Sequence, residues 1–181
     1  MEPLEENISE DPVKIWLQES INPAVSESSL YLYEFSRLDL RDIDSAREML
    51  TKLIMLNHKL GILYADAVEL KNEFQTQCDE TYSQVVLMFG GKNPNTDAKL
   101  TQESIKAAGE LASSNFQAFR ELFPSVALRL SLTVGDEPRR RHNAVSATAE
   151  KLKGIQRDIQ ESINAIKHIG NRDLQHVIHG L

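Results

Sequence analysis

Three observations in the sequence predict a mainly α-helical protein, a long antiparallel helical hairpin or coiled-coil bundle. The first is a heptad pattern running from Ile43 to Met88. Its a/d positions are Ile43, Ala46, Leu50, Leu53, Asn57, Leu60, Tyr64, Ala67, Lys71, Phe74, Cys78, Thr81, Val85 and Met88. The second is composition, with 41% apolar residues but only 6% aromatics, which suits an aliphatic helical core. The third is the turn-rich loop GGKNPNTD, Gly90 to Asp97, followed by another helical pattern, so that the long helix doubles back.

Taken in order, residues 1–10 are acidic, lack the apolar run of a secretory signal, and read as a disordered arm. Asp11-Pro12 has the form of an N-cap with Pro at the first helical position. It opens a short helix carrying Val13, Leu17 and the only tryptophan, Trp16, which reads as an anchor to the bundle or to a neighbouring subunit. Asn22-Pro23 is expected to end that helix. Residues 26–41 fit a strand with both faces half-buried. They also fit a helix with Tyr31, Phe35 and Leu38 on one side, and the helical company favours helix. Together 11–41 form an N-terminal helical segment.

Residues 42–122 are expected to make the hairpin, its tip at 90–97. Asp42 or Asp44 caps the first arm, which at about 1.5 Å per residue is a rod of roughly 69 Å. Its first half carries a second stripe, Met49, Leu56, Leu63 and Leu70, beside the seam residues Leu50, Leu53 and Leu60. An apolar face that wide requires at least two neighbouring helices. Beyond Leu70 the stripe lapses and the seam continues alone through Phe74 and Val85, so this half is expected to project as a simpler coiled coil. Asn57 and Lys71, polar at a positions, are expected to set register. Thr101 caps the return helix, whose seam is Ile105, Ala108, Ala112, Asn115, Phe119 and Leu122.

Residues 123–142 change pattern. Val126, Leu128, Leu130, Leu132 and Val134 alternate with smaller or polar residues, which predicts a short strand at 126–134, the other reading being a helix opened by Pro124. A turn at Gly135–Pro138 leads into Arg139, Arg140, Arg141 and His142 as a basic linker. Asn143 is then expected to cap the last helix, 143–181, with Leu152, Ile155, Ile159 and Ile166 on its packing face and a stop at Gly170-Asn171.

Function is less legible. No HExxH, GxSxG, Walker loop or paired cysteine occurs, so neither a catalytic residue nor a cofactor or metal site is assigned and an enzyme is not expected. His176 and His179 stand three apart, short of a metal's usual ligand number. One cysteine, Cys78, sits on the seam as a small hydrophobe; with no long apolar run, this fits a soluble cytoplasmic protein without a membrane partner. The net charge of −7 divides unevenly: residues 1–88 are acidic and 138–181 basic. Arg139, Arg140 and Arg141, with Lys151, Lys153 and Arg157 on the turns beyond, could neutralise phosphates; contact with the acidic half of another subunit, or a solvated surface, is the favoured reading. The last helix ends in NAIKHIG, and over this short stretch it resembles the C-terminal helices of the small helical recombination-mediator proteins of bacteriophages. Those form rings, bind single-stranded DNA and help load a recombinase. The resemblance implies a nucleic-acid accessory role. The reading from the residues themselves is a non-enzymatic structural or adaptor protein. It would assemble as a homo-oligomer, with a further protein partner open to it. Its packing seam would be Met49, Leu50, Leu53, Leu56, Leu60, Leu63, Leu70, Phe74, Val85, Leu152, Ile155, Ile159 and Ile166.

Overall fold

The computed structural model describes residues 11–96, 98–135 and 137–179, with side chains described as far as Gly170. The chain is mainly α. Its helices are α1 (Pro12–Trp16), α2 (Asn22–Ser36), α3 (Ile43–Phe89), α4 (Gln102–Ser114), α5 (Phe116–Leu122), α6 (Pro124–Ala127) and α7 (Pro138–His179). They divide between two compact units. The first takes the described residues up to Asp66 and those from Ala149 onward; the second is Ala67–Thr148.

In the first unit, Asp11 caps α1 by accepting from the Val13 N–H at 3.0 Å. Pro23 does not stop the chain, as the sequence suggested. A π-helical turn, Leu17–Ile21, precedes it, and the Asn22 N–H donates to the Leu17 carbonyl. That wider turn relieves the clash a proline makes with the carbonyl four residues back, so α2 continues. Asp42 opens α3, accepting from the N–H of Asp44 and Ser45 and from the Ser45 hydroxyl at 2.6 Å. The Ser45 hydroxyl is the main reason its carboxyl lies below the ordinary range.

Helix α3 is flanked in this unit by α2 and α7. On one flank of α3, Lys59 meets Glu27 of α2 at 2.7 Å. On the other, the Asn57 side chain meets Gln160 of α7 at 3.4 Å, and a Cβ on Gly61 would touch Gln156 at the same distance. Moving four residues up α3 moves four down α7, so the two run antiparallel. Asn57 thus faces a second helix of its own chain. The buried face of α3 here is Ala46, Met49, Leu53, Leu56, Leu60 and Leu63, and α7 contributes Ala149, Leu152, Ile159, Ile163 and Ile166. Leu50 and Ile155 lie at the edge, half-buried.

In the second unit the other half of α3 does not stand alone. Val85 and Phe89 join Ile105, Ala108 and Ala112 of α4, Phe116 and Phe119 of α5, and Val126, Ala127 and Leu130 in one core. Phe119 lies between Phe116, at 6.2 Å, and Phe123, at 5.3 Å, and Phe123 meets Phe89 at 5.0 Å. The buried register on α3 has also moved. Positions d and g are covered in the first unit. In the second the covered positions are a and d: Ala67, Phe74, Cys78, Thr81 and Val85. A helix of about 3.6 residues per turn drifts in this sense against a strict seven-residue repeat.

The chain turns beyond α3. Gly90 and Gly91 take φ of 53° and 82°, and Lys92 pairs with Lys99 in an isolated antiparallel bridge. Thr101 caps α4 by accepting from the Ser104 N–H at 3.2 Å. The return helix is then broken at Asn115, whose side chain accepts from the Ala118 N–H and starts α5 on a new axis. Leu122, placed on the seam by its spacing, is consequently exposed, and Phe116 is buried instead.

The strand expected at 126–134 does not form, and among the described residues there is no strand. Pro124 opens α6, and the N–H groups of Val126, Ala127, Leu128, Arg129 and Leu130 all find carbonyls three or four residues back. With local partners available, the alternating pattern has no need of a second strand. Helix α7 also begins earlier than expected, at Pro138, with Glu137 accepting from the Arg140 and Arg141 N–H groups, so the arginines lie inside its first turn. It continues through Gly170-Asn171 to His179.

Small residues set how closely α4 approaches α3. A Cβ on Gly109 would lie 2.6 Å from Tyr82 Cδ2 and 3.3 Å from Tyr82 Cα. Gly109→Ala gains about 1 kcal/mol of helix propensity but meets a neighbour's backbone, and overpacking costs about 1–3 kcal/mol. A net loss is expected, read as a lower urea midpoint. Gly154→Ala, with nothing within 4 Å, should raise it.

Candidate functional site

Two surfaces stand out among the described residues. One lies on α3 within the first unit. The helices α2 and α7 cover two flanks, and the remaining arc carries Ile54, Met55 and Ile62, which are 46, 70 and 53% exposed. Thr51, His58 and Ala65 complete it, all exposed. No Asp, Glu, Lys or Arg side chain interrupts this arc from Thr51 to Ala65. The charges nearby sit to its side, where Glu48 and Lys52 pair at 2.9 Å. That hydrogen bond holds the Glu48 carboxyl below its ordinary range and lifts Lys52 above its own. On α2, Leu30 and Tyr33 are also exposed, with the Arg37 guanidinium 4.5 Å from the Tyr33 ring centre.

The other surface is a cleft of about 200 Å³ in the second unit, lined by Cys78, Asp79, Tyr82, Lys106, Gly109, Glu110, Ser113 and Arg139. Two acids and two bases face the same small space. The Cys78 thiol is buried beside it, and burial is the main cause of a pKa above the ordinary value, with Asp79 adding to the rise and Arg139 opposing it. A thiol held protonated is a poor nucleophile. Alkylation of Cys78 by iodoacetamide at pH 7.5 is therefore expected to be slow in the native chain and rapid in denaturant, a difference read by mass spectrometry.

The residues singled out by the sequence divide accordingly. Of the packing seam, Met49, Leu53, Leu56, Leu60, Leu63, Leu152, Ile159 and Ile166 are buried in the first unit and Phe74 and Val85 in the second; Leu50, Leu70 and Ile155 are half-buried. The covered members are thus held by helices of their own chain. The arginine run fans out at about 100° per residue. Arg139 lines the cleft, Arg141 lies 5.9 Å from the Phe74 ring centre, and Arg140 is exposed. In the first unit Lys151, Lys153 and Arg157 are exposed, Arg157 standing 3.5 Å from Asp158. The pair His176 and His179 has side chains outside the described residues.

The heptad seam does not include the outer arc of α3. Its signal was present, since Ile54, Met55 and Ile62 are apolar and lie off the seam. The buried hydroxyls give no second site: Ser28, Thr81, Ser113, Thr148 and Ser162 each donate back to a carbonyl three or four residues earlier. Among the described residues no helix is long and apolar enough to cross a membrane, and no group of three or more metal-ligating side chains occurs. What the fold and these surfaces define is a class, a mainly α helical bundle with an open apolar arc. No protein-family model, curated protein or solved structure matches the chain.

Proposed function

We propose that this chain is a non-enzymatic structural or adaptor protein that assembles with copies of itself through helix packing. The observation that supports it is the arc of Ile54, Met55 and Ile62, an apolar stripe left open on a helix that α2 and α7 flank. Apolar side chains aligned on one helix face are a surface for another helix. A single buried cysteine fits a reducing compartment, so we assign a cytoplasmic location. Sedimentation equilibrium tests the reading. The expected result is a mass well above 20.4 kDa at micromolar concentration, and a monomer throughout the micromolar range overturns it.

A second reading, a nucleic-acid accessory protein, draws support from the exposed Lys151, Lys153 and Arg157. It requires binding to single-stranded DNA that weakens steeply with salt and is lost when all three become Ala. The spread of the arginine run around α7 weighs against it, because Arg139 lines the cleft and Arg141 lies over the Phe74 ring.

A further inference from the structure

The exposed residues along the outer line of α3 are Arg47, Thr51, Ile54, His58, Ile62, Ala65 and Glu69. Their spacing is four, three, four, four, three, four, which reads the same in both directions about His58. The chemistry is matched as well as the spacing. Seven residues either side of His58 stand Thr51 and Ala65, and four either side Ile54 and Ile62. Eleven either side stand a cation, Arg47, and an anion, Glu69.

Such a line is complementary to itself when a second copy is laid against it in the opposite direction. Each Ile54 then meets the other copy's Ile62 and each Thr51 its Ala65. Arg47 meets Glu69 twice, once at each end. A parallel arrangement in register would set Arg47 against Arg47 and Glu69 against Glu69, so charge selects the antiparallel one. A two-fold contact has this property, the same patch serving on both sides.

We propose that α3 packs antiparallel against α3 of a second copy of this chain, with the two-fold axis at His58. This rests on the self-assembly reading above and names its surface. Ile54 and Ile62 supply the apolar centre, Met55 flanks it, and the two Arg47–Glu69 pairs hold the register. Residues three and four apart on a helix form the ridges that pack at about 8–10 Å between axes.

The test uses the full chain. Wild type is expected to sediment as a dimer or larger. Ile54→Glu with Ile62→Glu is expected to lower the mass while helicity by circular dichroism is kept, since both side chains are exposed. Arg47→Glu alone should weaken self-association roughly ten-fold by placing like charges at both ends. Adding Glu69→Arg should restore it. In a Cys78→Ala background, His58→Cys should be joined between copies by a short bismaleimide. Thr51→Cys should not, because its two copies lie about 21 Å apart along the axis at about 1.5 Å per residue. An assembly of unchanged mass in the Ile54/Ile62 variant overturns this interface and leaves the self-assembly reading standing. Equal cross-linking at 51 and 58 overturns the position of the axis. A monomeric wild type overturns both the interface and the reading it rests on.

Discussion

Replacing Phe119 with Ala is expected to cost the second unit about 3–5 kcal/mol, the range for removing a fully buried phenylalanine. The ring is 0% exposed and sits between Phe116 and Phe123. Phe123 carries the contact onward to Phe89, the last residue of α3. Phe123 thus links the Phe119 ring of α5 to the end of α3. Ring pairs of this kind contribute about 0.5–1.5 kcal/mol beyond the area they bury. Phe119 shares its core with Ala108 and Ala112, whose short side chains cannot grow to fill a cavity. A loss this size is a large part of the roughly 5–15 kcal/mol that holds a typical domain folded. Native-state hydrogen exchange reads it locally, as faster exchange of amides in α4 and α5. Leu122→Ala is the control on the same helix: it is 56% exposed and should stay within about 0.5 kcal/mol. A Phe119→Ala chain that exchanged like its parent would contradict the core described here.

Leu60→Asp is expected to prevent the first unit from folding. Leu60 is 0% exposed, among Leu53, Leu56 and Leu63 of α3 and facing a unit completed by Leu152 and Ile159 of α7. Truncating such a leucine to alanine already costs about 2–5 kcal/mol. A carboxylate there adds the penalty of a buried charge with no partner, several kcal/mol more. Trp16, the only tryptophan, belongs to this unit and reports on it by emission. The expected spectrum is that of a solvated indole, with a matching loss of helicity. Ile62→Asp, two residues on but 53% exposed, should keep both signals. The pair separates two roles a seam leucine can have. A Leu60→Asp chain that kept its helicity and lost only mass would mean that Leu60 packs between copies, and the core assignment would fail.

Much of the fold was legible because its signals are local. Asp11 and Thr101 cap helices because a short acceptor side chain satisfies an N–H two or three residues ahead. Gly90 and Gly91 turn the chain because they accept positive φ. Where reading failed, a competing local partner had prevailed. Pro23 was absorbed by the π-helical turn before it. Asn115 broke a helix whose apolar spacing appeared continuous. Alternation at 126–134 was satisfied by turns, because Val126, Ala127 and Leu130 reach the core at helical spacing.

The interaction surface was only half legible, for a different reason. The first half of α3 has two apolar arcs, Met49–Leu53–Leu56–Leu60–Leu63 and Ile54–Met55–Ile62, and periodicity makes either one a packing face. By itself the sequence determined that this stretch is a helix with more apolar surface than one neighbour can cover, because helix period and capping depend on residues a few positions apart. Only the tertiary structure decided which arc is covered. That depends on where Glu27 of α2 and Gln156 and Gln160 of α7 come to rest, as far as 103 residues away along the chain. A contact between distant segments leaves no mark in the spacing of either one.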